Sequence, residues 1–147
     1  MARIFEMIEE GFAVHGRSSL IMQLTTVVAA VIERDGCVLI AQRKRTGQHP
    51  LKWEFPGGKV ERGEAPEAAV VRELAEELAI QARVDGEIMR YEYQYPGRSP
   101  ILLIFYRVTE FAGEPRNLDF EQIVWVPRER LREYDFLEGD AKFIRVY

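Results

Sequence analysis

Three glutamates fall within about one helical turn of the segment GEAPEAAVVRELAEEL at residues 63–78: Glu73, Glu76 and Glu77. Like charges at this spacing destabilise a helix by roughly 0.2–0.5 kcal/mol per pair, so the arrangement is unfavourable unless a cation joins it. Hard divalent ions such as Mg²⁺ bind carboxylate oxygens and are commonly shared with substrate phosphates. The trio therefore predicts metal-dependent phosphate chemistry. A solvated acidic helix face is the alternative interpretation.

The helix that carries these glutamates is predicted to run from Pro66 to Leu78. Proline suits a first helical turn because its missing N–H would have no partner there. At about 100° per residue, the three glutamates fall on one arc of the helix. The opposite, docking arc is predicted to contain Val71, Leu74, Ala75 and Leu78.

The sequence that precedes this helix indicates a function more specifically than the helix alone does. In WEFPGGKVERGEAPEAAVVRELAEELAI, Gly58 is followed after five residues by Glu64 and after seven more by Arg72-Glu73-Leu74, then Glu76-Glu77 and Ile80. This resembles the signature of the Nudix hydrolases, G-x5-E-x7-R-E-U-x-E-E-x-G-U, where U is a bulky apolar residue. Eight of its nine fixed positions match.

The one departure is Ala79, where the pattern has glycine. Glycine tolerates the left-handed backbone common after a helix, so alanine is expected either to cost about 1 kcal/mol or to extend the helix. The charged positions of the pattern are unaffected.

The resemblance implies an α/β/α sandwich, a mixed sheet between helices, that hydrolyses a nucleoside diphosphate linked to another group using Mg²⁺ or Mn²⁺. Family members place metal ligands at the positions of Glu73, Glu76, Glu77 and the Gly57 carbonyl. Arg72 would hold a catalytic carboxylate by a charge-assisted hydrogen bond. Glu73 and Glu77 are both candidates for the general base, since family members do not all use the same one.

Two acids outside the helix have alternative interpretations. Glu64 would contribute through water or support the loop, or it complements the dipole at the helix N-terminus. A further acidic ligand often precedes the late strand in this family, and Asp119, with Glu121 second, fits that place. Either could instead be a loop acid without a role.

The segment QRKRTGQHPLKWEFPGGKVE resembles the MutT branch of the family, which cleaves nucleoside triphosphates to monophosphate and pyrophosphate. In that branch a basic residue ending the second strand contacts phosphate, which would be Arg43, and an arginine near the nucleotide would be Arg98. Phe55 and Asp140 match the base-recognition positions. The alternatives are surface charges for the arginines, core packing for Phe55 and a helix N-cap for Asp140.

The elements that must position these residues follow from the apolar pattern. LTTVVAAVIE and CVLIAQR predict a hairpin across Asp35-Gly36, followed by an extended piece at residues 53–60. Strands are expected near residues 87–95, 101–110 and 123–126, then a helix from Pro127 to Tyr134 and a terminal helix in GDAKFIRVY. Residues 23–147 form the predicted Nudix domain. Residues 1–22 are an N-terminal extension with a helical apolar stripe, either packed as a helix or lying upstream of the domain.

Composition limits the partners. The 147-residue chain has a net charge of −4 and a pI near 5.3, without the basic excess expected of a protein that holds a long nucleic acid. Its single cysteine cannot form an internal disulfide, and no apolar run approaches the roughly 20 residues that span a bilayer. We therefore expect a cytoplasmic protein with a small nucleotide as substrate and no membrane partner, either a monomer or a homodimer.

These observations predict Mg²⁺-dependent hydrolysis of a nucleoside triphosphate, including oxidised forms such as 8-oxo-dGTP, to monophosphate and pyrophosphate. An ADP-ribose or nucleotide-sugar pyrophosphatase is the first alternative, because the signature is shared. A non-catalytic nucleotide-sensing domain is the second, although such a domain has no need of the intact glutamate trio.

Overall fold

A mixed β-sheet forms the centre of the computed structural model, which describes residues 24–147. The predicted extension at residues 1–22 lies outside the described residues. The strands are β1 (Thr25–Arg34), β2 (Cys37–Gln42), β3 (Trp53–Glu54), β4 (Gly57–Lys59), β5 (Gln81–Arg83), β6 (Gly86–Tyr93), β7 (Ile101–Val108), β8 (Glu110–Ala112) and β9 (Gln122–Pro127). The helices are α1 (Pro66–Leu78) and α2 (Ala141–Val146), with 3₁₀-helices at Arg128–Glu133 and Glu138–Asp140.

The order β3-β2-β1-β7-β6 forms the main path of the sheet, with β4 paired to β1 and β9 paired to β2. Strands β1 and β7 are parallel, whereas β1 pairs antiparallel with β2 and β4. The predicted hairpin is confirmed: Asp35 and Gly36 have φ of 54° and 76°, the left-handed pair that a tight two-residue turn requires. This arrangement places the Gly57-Gly58 strand directly beside β1.

Alternation along β1 divides the core between the two faces of the sheet. One face is covered by α1, and its buried side chains include Val28, Ala30, Ile32, Ile104, Tyr106, Val70, Leu74 and Leu78. The other face is covered by the 3₁₀-helix and α2, and its buried side chains include Val27, Ala29, Val31, Leu103, Phe105, Leu131 and Phe143. The prediction of a mixed sheet between helices is therefore confirmed. Among residues 24–147, no helix is long and apolar enough to cross a bilayer.

Several element boundaries differ from the predictions. The expected strand at residues 101–110 is two strands, because β8 leaves the main sheet and pairs with β5 in a separate two-stranded sheet. The segment after Pro127 forms a 3₁₀-helix, not an α-helix. Strands of three residues carry too few alternations for a periodic pattern, which explains why β5 and β8 were not predicted.

Helix α1 ends at Leu78, and Ala79 adopts the left-handed conformation with φ 59° and ψ 34°. Its N–H bonds to the Ala75 carbonyl at 3.2 Å, and the N–H of Ile80 reaches the Leu74 carbonyl at 3.5 Å. Of the two outcomes expected for Ala79, the helix therefore keeps the glycine-type ending and is not extended.

Replacing Ala79 with glycine is expected to raise the free energy of unfolding by about 1 kcal/mol, because glycine has no Cβ to strain at positive φ. Urea denaturation of both proteins measures this difference. Ala75→Gly is the control. Ala75 is solvent-exposed and lies away from the ends of the same helix, so this substitution is expected to lower stability by about 1 kcal/mol. Loss of stability in Ala79→Gly would contradict the assignment.

Candidate active site

Helix α1 presents a different face to the sheet from the one predicted. Val70, Leu74 and Leu78 are buried, whereas Val71 is 39% exposed. Ala75 is exposed as well, so two of the four predicted docking residues are on the outside. The helix is rotated so that Glu77 lies on the buried face, about one turn after Leu74 and two turns after Val70. The acidic trio is therefore divided between interior and surface.

Glu77 is a buried carboxyl with only 3% of its surface exposed. Its Oε1 accepts a hydrogen bond from the Gly57 N–H at 3.2 Å, and no ion pair reaches it within the described part of the chain. Burial raises the pKa of Glu77 well above its usual range, and the neighbouring carboxyls of Glu73 and Glu54 raise it further. A carboxyl in this environment is stable only with a proton or with a cation beside it.

Glu73 occupies the space beside Gly58. A Cβ on Gly58 would lie well inside van der Waals contact of the Glu73 carboxylate, so a larger residue would displace that carboxylate. Gly57 has no space either, because a Cβ there would overlap the Val28 carbonyl in the neighbouring strand. The two glycines therefore allow the backbone of β4 to approach both β1 and the helix carboxylates.

Arg72 joins the site to the loop that precedes the helix. Its Nε and Nη2 donate to the two carboxylate oxygens of Glu64 at 2.8 and 3.0 Å, and Nη2 also donates to the Lys59 carbonyl at 3.1 Å. Its Nη1 donates to Glu73 at 3.2 Å and to the more exposed Glu76 at 3.5 Å. The predicted hydrogen bond from Arg72 to a site carboxylate is therefore present.

Glu64 serves the loop through this same arginine. The Arg72 hydrogen bond, followed by one from the Glu61 N–H, lowers the pKa of Glu64. The residue before the helix is Ala65, which makes no side-chain cap. Of the roles expected for Glu64, support of the loop is the one that these contacts show.

The donor set has the chemistry of a hard-cation site. Within residues 24–147, no three carboxylate, imidazole or thiol side chains gather closely enough to hold a metal alone. Mg²⁺ is usually held by one or two carboxylates, with waters and substrate phosphates completing its shell. The paired carboxyls of Glu73 and Glu77, one of them buried without a cationic partner among the described residues, fit this requirement.

Glu54 is an acidic residue of the site that the sequence patterns did not single out. It is 1% exposed and forms a buried ion pair with Arg43 at 3.3 Å. Burial raises its pKa, and the Arg43 guanidinium partly offsets this. One feature of the sequence could have indicated this ion pair. Glu54 is a charged residue between Trp53 and Phe55, and the strand that pairs with it, β2, is followed directly by Arg43.

Arg43 lies inside the protein and is only 5% exposed. The alternative interpretation, that Arg43 is merely a surface charge, is therefore excluded. Its Nε donates to the Gln48 carbonyl at 2.9 Å, and its backbone bonds to Lys52 and Leu51 across the same loop. Arg43 therefore closes the loop at residues 44–52 and anchors it to Glu54. The phosphate contact that the family resemblance implies for Arg43 stays a prediction.

Two acids of the late loop lie near the end of α1. The Leu118 N–H bonds to the Glu77 carbonyl at 3.1 Å, which places neighbouring Asp119 beside the helix. Asp119 is exposed, and its carboxylate makes no hydrogen bond or ion pair with the residues described here. Glu121 pairs with Arg45 at 3.0 Å. Asp119 is the acid that a ligand could recruit with less rearrangement.

Asp140 lies at the other end of the site, 6% exposed, and its side chain makes no capping hydrogen bond to α2. Asp140 is therefore the N-cap residue of α2 by position, as the alternative expected, but without the side-chain hydrogen bond of a cap. Burial, and then the charge of Glu54, raise the pKa of Asp140 well above its usual range. A buried carboxyl that makes no hydrogen bond or ion pair with residues 24–147 is suited to pairing with a polar edge of a ligand.

Two other residues expected near the nucleotide have different surroundings. Phe55 is 1% exposed and contacts the rings of Phe105, Phe136 and Phe143 at 5.2–6.1 Å between centroids. It is a core residue and not the open wall predicted for a base. Arg98 is half-buried in the turn after β6, and its charge acts on His49 in the loop at residues 44–52.

The raised pKa of Asp140 predicts a pH-dependent stability difference. The folded state binds the proton more tightly than the unfolded state, so the stability present at low pH is lost as pH rises towards the folded-state pKa. Asparagine cannot ionise, and Asp140→Asn is expected to be more stable than the wild type by about 1–3 kcal/mol near pH 8. Below the unfolded pKa of about 4 this advantage disappears.

Urea denaturation at several pH values measures this difference. Asp135→Asn is the control, because Asp135 is exposed and paired with Lys52 at 2.9 Å. Its loss should change stability by about 0–1 kcal/mol in the destabilising direction. An Asp140→Asn advantage that does not grow with pH would show that the carboxyl is not the cause.

Comparison with known proteins gives the same pattern across the domain. The NUDIX domain model matches residues 22–147. The CTP pyrophosphohydrolase of Escherichia coli is 36% identical over 126 residues, which are 86% of this chain and 93% of the relative. The 8-oxo-dGTP diphosphatase of Haemophilus influenzae is 35% identical over 123 residues, which are 83% of this chain and 90% of the relative.

Solved structures agree with these sequence matches. The solution structure of the E. coli ORF135 protein superposes with a TM-score of 0.75 at 36% identity, covering 84% of this chain and 87% of that one. A MutT NUDIX hydrolase from Burkholderia pseudomallei superposes with a TM-score of 0.75 at 26% identity, covering 84% and 97% of the two chains. This chain therefore shares the fold of these solved structures over 84% of its length.

Proposed function

The chain belongs to the Nudix hydrolase family, and on that premise we propose that it hydrolyses a nucleoside triphosphate to the monophosphate and pyrophosphate, with Mg²⁺ or Mn²⁺ as cofactor. The named relatives act on CTP and on 8-oxo-dGTP, which makes pyrimidine and oxidised purine triphosphates the first substrates to test. Both relatives extend over nearly the same length as this chain, so the proposal concerns a shared domain.

The observation that carries the proposal is the Glu73–Glu77 pair beside Gly57 and Gly58. Glu77 is buried, receives one backbone hydrogen bond, and faces a second carboxyl with no cation beside it in the described residues. Such a pair is electrostatically costly in a protein that needs it only for structure. A divalent ion together with an anionic phosphate substrate removes the cost.

The metal would be held by Glu73 and Glu77, with Glu76, Asp119 and the Gly57 carbonyl as further ligands. When bound, it would neutralise the phosphate charge and lower the pKa of a bound water. The protein's own groups position these ligands. The Gly57 N–H holds the Glu77 carboxyl, while Arg72, itself fixed by Glu64, orients Glu73.

The hydrolytic step consumes one water. The water oxygen forms a bond to one of the two phosphorus atoms that flank the bridging oxygen between the α- and β-phosphates, and the bridge bond on that phosphorus breaks. The bridging oxygen leaves with the bonding electrons, and the Glu73–Glu77 pair takes the proton of the water. The products are the nucleoside monophosphate and pyrophosphate.

The nucleobase would lie at the Asp140 end of the site. A carboxyl accepts from N–H groups when ionised and donates to a carbonyl when protonated, so it can distinguish base edges. Arg98 would contact the nucleotide from the turn after β6. Arg43 would act from inside the protein, by holding the loop at residues 44–52 against Glu54.

The proposal is tested by chromatography of products from the purified protein with Mg²⁺ and a panel of substrates. The panel contains normal and 8-oxo triphosphates, CTP, ADP-ribose and nucleotide sugars. Monophosphate with equimolar pyrophosphate from a triphosphate is the expected result, and it should disappear when EDTA removes the metal. Cleavage restricted to ADP-ribose or nucleotide sugars would overturn the triphosphate assignment, and no cleavage at all would favour a binding domain.

A further inference from the structure

The segment at residues 137–143, which carries Asp140, contacts strand β3 at one end and strand β7 at the other. At one end, the Leu137 N–H bonds to the Trp53 carbonyl of β3 at 2.9 Å, next to Glu54. At the other end, α2 packs through Phe143 on the ring of Phe105, with centroids 4.2 Å apart and planes nearly parallel. What fixes the backbone between these two anchors determines where the Asp140 carboxyl lies.

Two tyrosine hydroxyls fix that backbone at Gly139. Tyr91 donates its hydroxyl hydrogen to the Gly139 carbonyl at 2.6 Å and accepts from the Phe143 N–H at 3.3 Å. The Tyr95 hydroxyl accepts from the Gly139 N–H at 3.0 Å. Both backbone polar groups of Gly139, the residue before Asp140, are therefore bound by side chains from β6 and the turn after it.

Gly139 has no space for a side chain beside these tyrosines. A Cβ there would lie 2.8 Å from the Tyr95 hydroxyl and 3.4 Å from Tyr93. Only glycine allows the backbone to approach the tyrosines this closely. The Asp140 N–H bonds to the Leu137 carbonyl at 3.0 Å, so the residue that follows is fixed as well.

The tyrosines and Asp140 also interact electrostatically. Burial is the main cause that raises the pKa of Tyr91 and of Tyr95, and the charge of Asp140 is the next cause for both. Both hydroxyls consequently keep their protons at neutral pH. Tyr95 in addition contacts the ring of His49, with centroids 5.1 Å apart, which links it to the loop that Arg43 closes.

We propose that Tyr91 and Tyr95 are positioning residues for nucleobase selection, because their hydroxyls hold the Gly139 peptide and thereby set the place of the Asp140 carboxyl. This inference rests on the proposed function. It assigns a role to two side chains that a strand-face pattern explains only as packing. Neither hydroxyl is expected to touch the reacting phosphates.

The tyrosine hydroxyls bind the backbone on both sides of Asp140, so their removal is expected to act on the contact with the base. Loss of contacts to the base weakens substrate and transition state alike, which raises KM and leaves kcat nearly unchanged. Base discrimination falls because a displaced carboxyl no longer matches one base edge. A purely structural loss would instead lower the active fraction equally for every nucleotide.

The test uses Tyr91→Phe, Tyr95→Phe and the double variant in the full chain, with Tyr93→Phe as the matched control. Tyr93, the last residue of β6, lies between the two in sequence, and its hydroxyl makes no hydrogen bond with residues 24–147. Steady-state constants are measured for CTP, dGTP, 8-oxo-dGTP and dATP. Calorimetric dissociation constants of the corresponding monophosphates report base recognition without turnover, and thermal midpoints report folding.

In the double variant we expect KM for the preferred triphosphate to rise about tenfold, kcat to stay within about twofold, and base discrimination to fall about tenfold. Tyr93→Phe should match the wild type. In an Asp140→Asn background, the tyrosine substitutions should change discrimination by less than about twofold, since the positioned carboxyl is already gone.

Unchanged discrimination in the double variant, or full additivity with Asp140→Asn, would overturn the inference while leaving the proposed function intact. Base-selective monophosphate binding that depends on the tyrosines, in a protein without triphosphate turnover, would support the inference and refute the proposed function. A protein that neither binds monophosphates nor cleaves triphosphates would refute both.

Discussion

Glu77→Gln is expected to lower kcat for triphosphate hydrolysis by about 10³-fold while the thermal midpoint of the metal-free protein stays level or rises. Glutamine has nearly the same shape and can still accept the Gly57 hydrogen bond. It cannot accept a proton from water and is a poor ligand for a hard cation. It also removes a buried ionisable group whose neighbours are carboxyls, so the electrostatic repulsion that destabilises the metal-free protein is lost.

Product formation and differential scanning fluorimetry in EDTA, on the same preparations, measure the two effects. Glu67→Gln is the matched control, since Glu67 is an exposed acid in the first turn of the same helix. Its kcat should stay within about twofold of the wild type. Glu77→Gln turnover within about tenfold of the wild type would remove the proposed role. A large fall in its midpoint would show that the buried carboxyl serves the fold.

Arg72→Lys is expected to lower kcat/KM by about 10²-fold, although the positive charge is retained. The guanidinium makes two parallel hydrogen bonds to Glu64, one to the Lys59 carbonyl and one to Glu73. A lysine ammonium cannot reproduce this planar set from the same position. Glu73 then loses its orienting donor, and the loop before α1 loses its anchor.

The comparison that isolates this geometry is Arg83→Lys, because Arg83 pairs with Glu110 at 3.2 Å on an exposed strand. That substitution is expected to leave kcat/KM and the thermal midpoint unchanged. Arg72→Lys with near wild-type kcat/KM would mean that charge alone is required. Addition of Glu64→Gln to Arg72→Lys should cost little more, since the two residues act as a unit.

The sequence was sufficient for the helix, the hairpin and the residues that converge around Glu73. The hairpin follows from Asp35-Gly36 between two β-branched runs, and α1 follows from Pro66 and the signature spacing. The signature contains Gly58, but only the structure shows that neither Gly57 nor Gly58 has space for a Cβ.

The rotation of α1 could not be predicted from polarity. A hydrophobicity rule assigns Val71 to the interior and Glu77 to solvent, whereas the structure exposes Val71 and buries Glu77. A buried carboxyl in place of an apolar side chain violates the local pattern, as is expected where a residue serves chemistry and not packing. The difference between the predicted and the observed buried face of α1 therefore itself points to the candidate site.

Burial of other charges depends on contacts between distant segments. Glu54 and Arg43 are buried because β2 and β3 lie side by side. Asp140 is buried in a segment held by Tyr91 and Tyr95, which lie more than forty residues earlier in the chain. Propensity alone favours a surface position for all three. The role of Phe55 was ambiguous for the same reason, since three aromatic rings from other segments decide it.

The parallel pairing of β1 with β7 sets the order in which this chain can fold. Thr25 pairs with Ile101, so about half of the chain must be synthesised between the two partners. The β1–β2 hairpin, β4 and α1 are all available earlier, and the glutamate-bearing half can therefore collapse before the tyrosine-bearing half exists. Closing a loop of this length is slow relative to local pairing, so we expect refolding in milliseconds to seconds, limited by the arrival of β7. Until then, β1 exposes an unpaired edge, and a nascent chain is most prone to aggregation in that interval.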